Sequence, residues 1–489
     1  MYTQFIRAHG RRRAHQALHS PLIRKHRTRA KFYAILCLVF FAPACLRFDC
    51  VTFDSSCRTE ALLLWMLPVA AEPACGVYAP GRVSVASDGS EAIGGNSQSA
   101  TISANGRYVL FASAATNLVA GDTNGFSDVF LHDRATGETT RVSVANGGGQ
   151  ATGGESIVSA ISDDGRYVGF LSQATNLVAG DTNGMRDAFV HDRDTGETTR
   201  VSVSTGGTEG DQPAFELALS GDGRYVAFSS SATNMVAGDT NGVPDIFLHD
   251  RQTGITTRES VASGGVEGTG GTVSQTLNMS QDGTIIVFMS DHPNLVAGDT
   301  NALHDIFIRD RTANTTTRAS VATGGGEASG GFTTGSTVSG DGRIVTFYSA
   351  MTDLVAGDTN ALQDVFVHER DTVVTTRVSV ASDGAQSTGG SSFLPVINSD
   401  GRYVAFVSTA TNLVATDTNA VDDIFVHDRQ AGSTSRVTLS LSDGAQANGN
   451  SNNVRLSRDC PYLAFQSAAT NLVTGDTNGQ GDIFVFDRP

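Results

Sequence analysis

The sequence predicts an all-β fold: a seven-bladed β-propeller of four-stranded antiparallel blades over residues 76–489, its last blade closed by the N-terminal strand. Three observations predict it. One unit repeats seven times, every unit holds four strand-like segments, and the two ends of the repeat region complement each other.

The period is read from Asp-Thr-Asn, which starts at residues 122, 181, 239, 299, 358, 417 and 476, in steps of 58 to 60. A fixed period of this length defines one supersecondary unit per repeat. Within each unit, a weakly alternating stretch ends at Ser103, Ser162, Ser220, Ser280, Ser339, Asn398 or Ser457. A tight turn such as Asp164-Gly165 follows. Next comes a run like Arg402 to Ser408, whose Phe stands in every copy (Phe111, Phe170, Phe228, Phe288, Phe347, Phe406, Phe465). A long loop carries Asp-Thr-Asn into Asp-Ile-Phe-Val-His-Asp-Arg, and a short turn leads to Thr-Thr-Arg-Val-Ser-Val. Period-two alternation with turn residues between the runs means strands, and four antiparallel strands per repeat make a propeller blade.

The ends fit together. The last unit stops at Arg488-Pro489 without a fourth strand, whereas Gly81 to Val85 is a fourth strand with no blade of its own. Pairing the two removes the open edges of a linear array. Cys75 lies six residues before that strand, and Cys460 takes the place of a turn glycine in the last blade. A Cys75–Cys460 disulfide across the closure is expected, and it implies an oxidising compartment.

Residues 1–75 differ from the rest, with 11 Lys and Arg against 4 Asp and Glu. Their basic run, apolar runs at 32–46 and 61–71, and small residues at Val69-Ala70-Ala71 read as a signal-like export segment outside the fold. Both apolar runs are short for a membrane span, so no stable span is expected. The remainder carries 23 Arg, no Lys and 46 acids. Such an acidic body argues against nucleic acid as a partner. The expected setting is periplasmic or secreted, with lipid or membrane anchoring through the head the lesser alternative.

The run Ser220 to Ser230, Ser-x-Asp-Gly-Arg-Tyr-Val-Ala-Phe-x-Ser, resembles the WD40-like (PD40), TolB-type propeller repeat of bacterial proteins. The resemblance covers all seven units, and it implies a periplasmic or secreted protein with interaction roles. The units here are longer than in TolB, and no α/β domain precedes them.

The strongest polar signal is Asp-x-Asn-x-x-x-Asp. It comprises Asp122, Asn124 and Asp128; Asp181, Asn183 and Asp187; Asp239, Asn241 and Asp245; and Asp299, Asn301 and Asp305. Asp358, Asn360 and Asp364; Asp417, Asn419 and Asp423; and Asp476, Asn478 and Asp482 complete the set. Oxygen ligands two apart in a tight loop, with a further carboxylate, suit Ca²⁺. The competing reading is that these side chains bind their own backbone and shape the loop. The His shared by five copies (His132, His191, His249, His368, His427) gives way to Arg309 and Phe486 elsewhere, so it reads as a packing or hydrogen-bonding position. Blade four breaks the pattern with His292 and His304 near Asp291, Asp299 and Asp305, a possible transition-metal set. No nucleophile elbow, phosphate loop or HExxH stands in the chain. Repeat uniformity leads to the expectation of a monomeric, non-enzymatic scaffold binding protein or glycan through its long-loop face. The alternative is a propeller hydrolase or lyase with a central-channel or blade-four site.

Overall fold

The computed structural model of the protein describes residues 75–488, and the signal-like reading of residues 1–74 lies outside them. Seven four-stranded antiparallel sheets form the described region. Blade one consists of Ser97–Ile102, Tyr108–Ser113, Asp128–Asp133 and Glu138–Arg141, and each later blade repeats this order. None of the described elements is a helix long and apolar enough to cross a membrane.

The ring closes as the sequence implies. Gly81–Arg82 pairs antiparallel with Asp482–Asp487, Gly81 opposite Val485 and Arg82 opposite Phe484. Val83 N–H adds a bond to the Ile483 carbonyl at 2.8 Å. Cys75 and Cys460 are joined, their Cα atoms 5.6 Å apart. The Tyr462 hydroxyl also donates to the Gly76 carbonyl at 2.6 Å.

The core lies between blades rather than within one. Each sheet has two apolar faces, so each must be covered by a neighbour. One cluster packs Val109, Phe111 and Phe130 of blade one against Tyr462, Ala464 and Val485 of blade seven, with Val83 among them. Six further clusters join the other neighbouring pairs. The repeated Phe of the second strand meets the Phe of the third in every blade, as at Phe111 and Phe130, 5.9 Å between centroids.

The first strand of each blade touches the first strand of the next all the way round. These seven inner strands line the propeller axis. They are Ser97–Ile102, Ser156–Ile161, Ala214–Leu219, Val273–Met279, Thr333–Val338, Ser392–Ile397 and Ser451–Leu456. Each starts at the face bearing the long loops and ends at the face bearing the tight turns. Every inner strand contains a register break against its neighbour. In four blades the third residue (Ser99, Gly335, Leu394, Asn453) has a left-handed φ, from 51° to 62°.

Candidate functional site

The Asp-x-Asn-x-x-x-Asp loops close on an arginine. In blade one, Asn124 Oδ1 accepts from the Phe126 N–H at 2.9 Å, an Asx turn. Asn124 Nδ2 then donates to Asp128 Oδ2 at 2.9 Å. Between the two carboxylates sits Arg141 of the fourth strand, 3.4 Å from Asp122 and 3.3 Å from Asp128. The same arrangement recurs at Arg200, Arg258, Arg318, Arg377 and Arg436. In blade seven the arginine is Arg82, brought by the N-terminal strand to Asp476 and Asp482.

The geometry matches the loop-shaping alternative to the possible calcium set. All seven Asn side chains turn their amide nitrogen, a donor, towards the second Asp. The resident cation is a guanidinium. Two groups of carboxylates are nonetheless close enough to hold a metal ion: Asp181, Asp187 and Glu209, and Asp239, Asp245 and Glu267. There Arg200 reaches Glu209 at 2.6 Å and Arg258 reaches Glu267 at 2.5 Å. Burial, reinforced by the neighbouring carboxylates, pushes Asp239 and Asp299 up to about 6.

The repeated His is a stitch. The Thr139 hydroxyl donates to the Val85 carbonyl of the neighbouring blade at 2.6 Å. Its proton being so used, Thr139 Oγ1 accepts from His132 Nδ1 at 2.9 Å, which puts a proton on Nδ1. Burial lowers the pKa of His132, and it lowers that of His368 to about 4.

Blade four does not assemble a transition-metal site. His292 is fully buried, and its Nδ1 meets Ser290 Oγ at 2.6 Å. A Cβ on Gly268 would lie 2.8 Å from the His292 ring. The other blades carry Ala or Met where His292 stands, so the glycine makes room for the larger ring. Neither His292 nor His304 belongs to any group of three or more metal-ligating side chains among the described residues.

A second symmetry break lies on the inner strands. Glu216 is the one acid in all seven, and Arg455 the one base. They belong to blades three and seven, on strands that line the axis, and each feels the charge of the other. No direct salt bridge joins them among the described residues; one Arg455 Nη donates to the Val454 carbonyl at 2.9 Å. Arg455 is exposed, although the protein packed around it lowers the pKa of its guanidinium. Burial raises Glu216 to about 7, against the pull of a Leu277 N–H and the Arg455 charge. At the level of Arg455 the other blades carry Thr101, Ala160, Ala218, Asn278, Thr337 and Val396. Scanning the seven inner strands for charge finds this pair directly; attention to the repeated motif passes over it.

No family model matches the chain, and no curated protein matches it. Solved structures do. TolB from Acinetobacter baumannii is 14% identical with a TM-score of 0.37, over 67% of this chain and 63% of that one. The fold is a seven-bladed β-propeller. The chain thus spans under two thirds of that TolB's length. An oligogalacturonate lyase from Vibrio parahaemolyticus is 14% identical over 83% of this chain and 93% of that one, with a TM-score of 0.48. A prolyl endopeptidase is 14% identical over 80% and 50%, with a TM-score of 0.49. The likeness is one of fold. The expectation of a non-enzymatic scaffold is corrected here: the structures this propeller is similar to include enzymes, a lyase and a peptidase.

Proposed function

We propose that the protein is a propeller enzyme of the lyase type, working in its central channel with Glu216 as general base and Arg455 as electrostatic partner. The observation that carries this reading is the single acid and single base of the inner strands facing one axis. Hydrolysis of a glycosidic bond ordinarily needs two carboxylates, and the inner strands supply one. Elimination needs one base and one cation. In the proposed step, the Glu216 carboxylate takes the proton from the carbon next to a substrate carboxylate. Arg455 stabilises the charge that develops on that carboxylate. The electron pair of the broken C–H bond becomes a C=C bond, and the leaving oxygen departs with its own bonding pair and takes a proton from solvent water, while Glu216 returns its own proton to solvent. The substrate class is a carboxylate-bearing oligomer with an oxygen leaving group one carbon further on.

The test is a screen of acidic oligosaccharides, read by the ultraviolet absorbance of a new unsaturated carboxylate. Activity is expected to rise with pH through about 7 as Glu216 loses its proton. E216Q is expected to lose about 100-fold or more. A rate unchanged in E216Q removes the reading.

We further propose export to the periplasm or beyond, which the Cys75–Cys460 disulfide supports. Calcium is not required in this proposal, because it would have to displace Arg200 or Arg258 from their carboxylates.

A further inference from the structure

The residue after the inner strand's closing Ser or Asn stands in the first turn of each blade: Ala104, Asp163, Gly221, Gln281, Gly340, Ser399 and Arg458. Their backbones are bonded around the axis. Asp163 N–H donates to the Gly221 carbonyl at 2.8 Å, Gly221 to Gln281 at 2.7 Å, and Gln281 to Gly340 at 2.9 Å. Gly340 continues to Ser399 at 3.0 Å, Ser399 to Arg458 at 3.1 Å, and Asp459 to Ala104 at 3.4 Å. The remaining gap is spanned by a side chain: Arg458 of blade seven passes blade one and pairs with Asp163 of blade two at 3.2 Å. Gln281 of blade four passes blade three to donate to Asp163 at 2.6 Å.

Seven residues linked at about 5 Å enclose a ring of roughly 6 Å radius between Cα atoms. Atomic radii take about half of that, and the joined side chains of Asp163, Gln281 and Arg458 cross the rest. Nor can the ring loosen by adding bulk: a Cβ on Gly221 would strike the Asp163 carboxylate, and one on Gly340 would strike Ser399. The turn face of the channel is sealed.

Depth then orders the two charged residues. Arg455 is the fifth residue of its inner strand and Glu216 the third of its own. At 3.3 Å per residue, Arg455 lies about 7 Å nearer the sealed floor.

We propose that the channel is a one-ended cup that takes the anionic end of an oligomer from the long-loop face. Arg455 holds the terminal anion near the floor, and Glu216 faces the linkage above it. The placement of Glu216 rests on the enzyme reading; the cup and its anion preference do not. A sealed floor forbids threading, so the ligand is a short chain or a chain end, never the middle of a polymer.

The test is thiol chemistry on the full chain carrying T101C. Thr101 stands at Arg455's level on the adjoining inner strand, where other blades accept Ala, Asn and Val. Modification by an anionic methanethiosulfonate (sulfonatoethyl) is compared with a cationic one (trimethylammonioethyl), over the background of the parent chain. The anionic reagent is expected to react about tenfold faster, and R455Q is expected to abolish the preference. Linear hexaglutamate is expected to protect the thiol and head-to-tail cyclic hexaglutamate to leave it reactive. Absence of an Arg455-dependent preference overturns the anion site. Protection by both peptides, or by neither, overturns the chain-end claim. None of these readouts needs turnover, so an inactive protein with the expected labelling would sink the enzyme reading and leave the cup standing.

Discussion

At the scale of single residues, the repeated polar positions serve the fold. His132, His191, His249, His368 and His427 are held neutral by burial, with pKa values below the unfolded value. The folded state therefore binds fewer protons than the unfolded chain below about pH 6.5. The stability these groups contribute is full above that pH and drains away as pH falls towards about 4. Urea midpoints at pH 7 and pH 5 should differ accordingly, and H368F, which copies the Phe of blade seven, should reduce the difference. The Arg–carboxylate clusters give a second expectation. Chelator should leave the melting temperature of the parent unchanged, whereas R200A should gain stability on adding Ca²⁺, because Asp181, Asp187 and Glu209 then lack their cation. A chelator-sensitive parent would show that the guanidinium is not the resident cation. Sequence made the Asp and Asn positions visible but not the direction of the Asn amide, which depends on an arginine that arrives from a strand 13 residues later. Glu216 and Arg455 were open to view as residue types, but their opposition across the axis exists only once the ring is closed.

At the scale of elements, neighbouring blades are sewn by an arginine after the third strand. Arg193 lies 4.3 Å from the Tyr108 ring centroid, Arg251 4.4 Å from Tyr167, and Arg311 4.6 Å from Tyr225. Blades four and five carry Ile285 and Ile344 instead of the Tyr. There the stitch changes chemistry: Arg370 pairs with Asp310 at 3.0 Å and Arg429 with Glu369 at 2.6 Å. Asp310 is available because blade four has Thr284 where blades one, two, three and six place an Arg on that acid, as Arg166 does on Asp192 at 2.7 Å, and Glu369 is available because Arg343 turns to Asp371 instead. Y167I should thus cost about 1–2 kcal/mol in urea unfolding. Adding R166T should recover part of that by freeing Asp192 for Arg251. No recovery would mean the two stitches are not interchangeable. The strands and turns of each blade were legible because the repeat averages seven copies of each pattern. The inner strand was the least legible, since its residues differ from blade to blade and a register break interrupts its alternation.

At the scale of the whole molecule, closure is what turns seven similar sheets into a channel. Arg82 enters the carboxylates of Asp476 and Asp482, so the N-terminal strand supplies both the missing edge and the missing cation of blade seven. C75S/C460S should lose about 3–5 kcal/mol, since the bridge spans 385 residues and ties the closing strand to its blade. The closure was foreseeable from the unpaired strand at each end; the sealed floor was not, because its bonds are backbone to backbone and its residues share no side-chain type. The central claim is that the inner strands hold an acid–base group tuned by its place in the channel. Carbon-13 NMR titration of the glutamate side chains, with the Glu216 signal assigned by its loss in E216Q, tests it without any substrate. The account expects that carboxyl to titrate near pH 7 and to move upward in R455Q. Titration near 4.5, the ordinary value for a glutamate, with no response to R455Q, would contradict it.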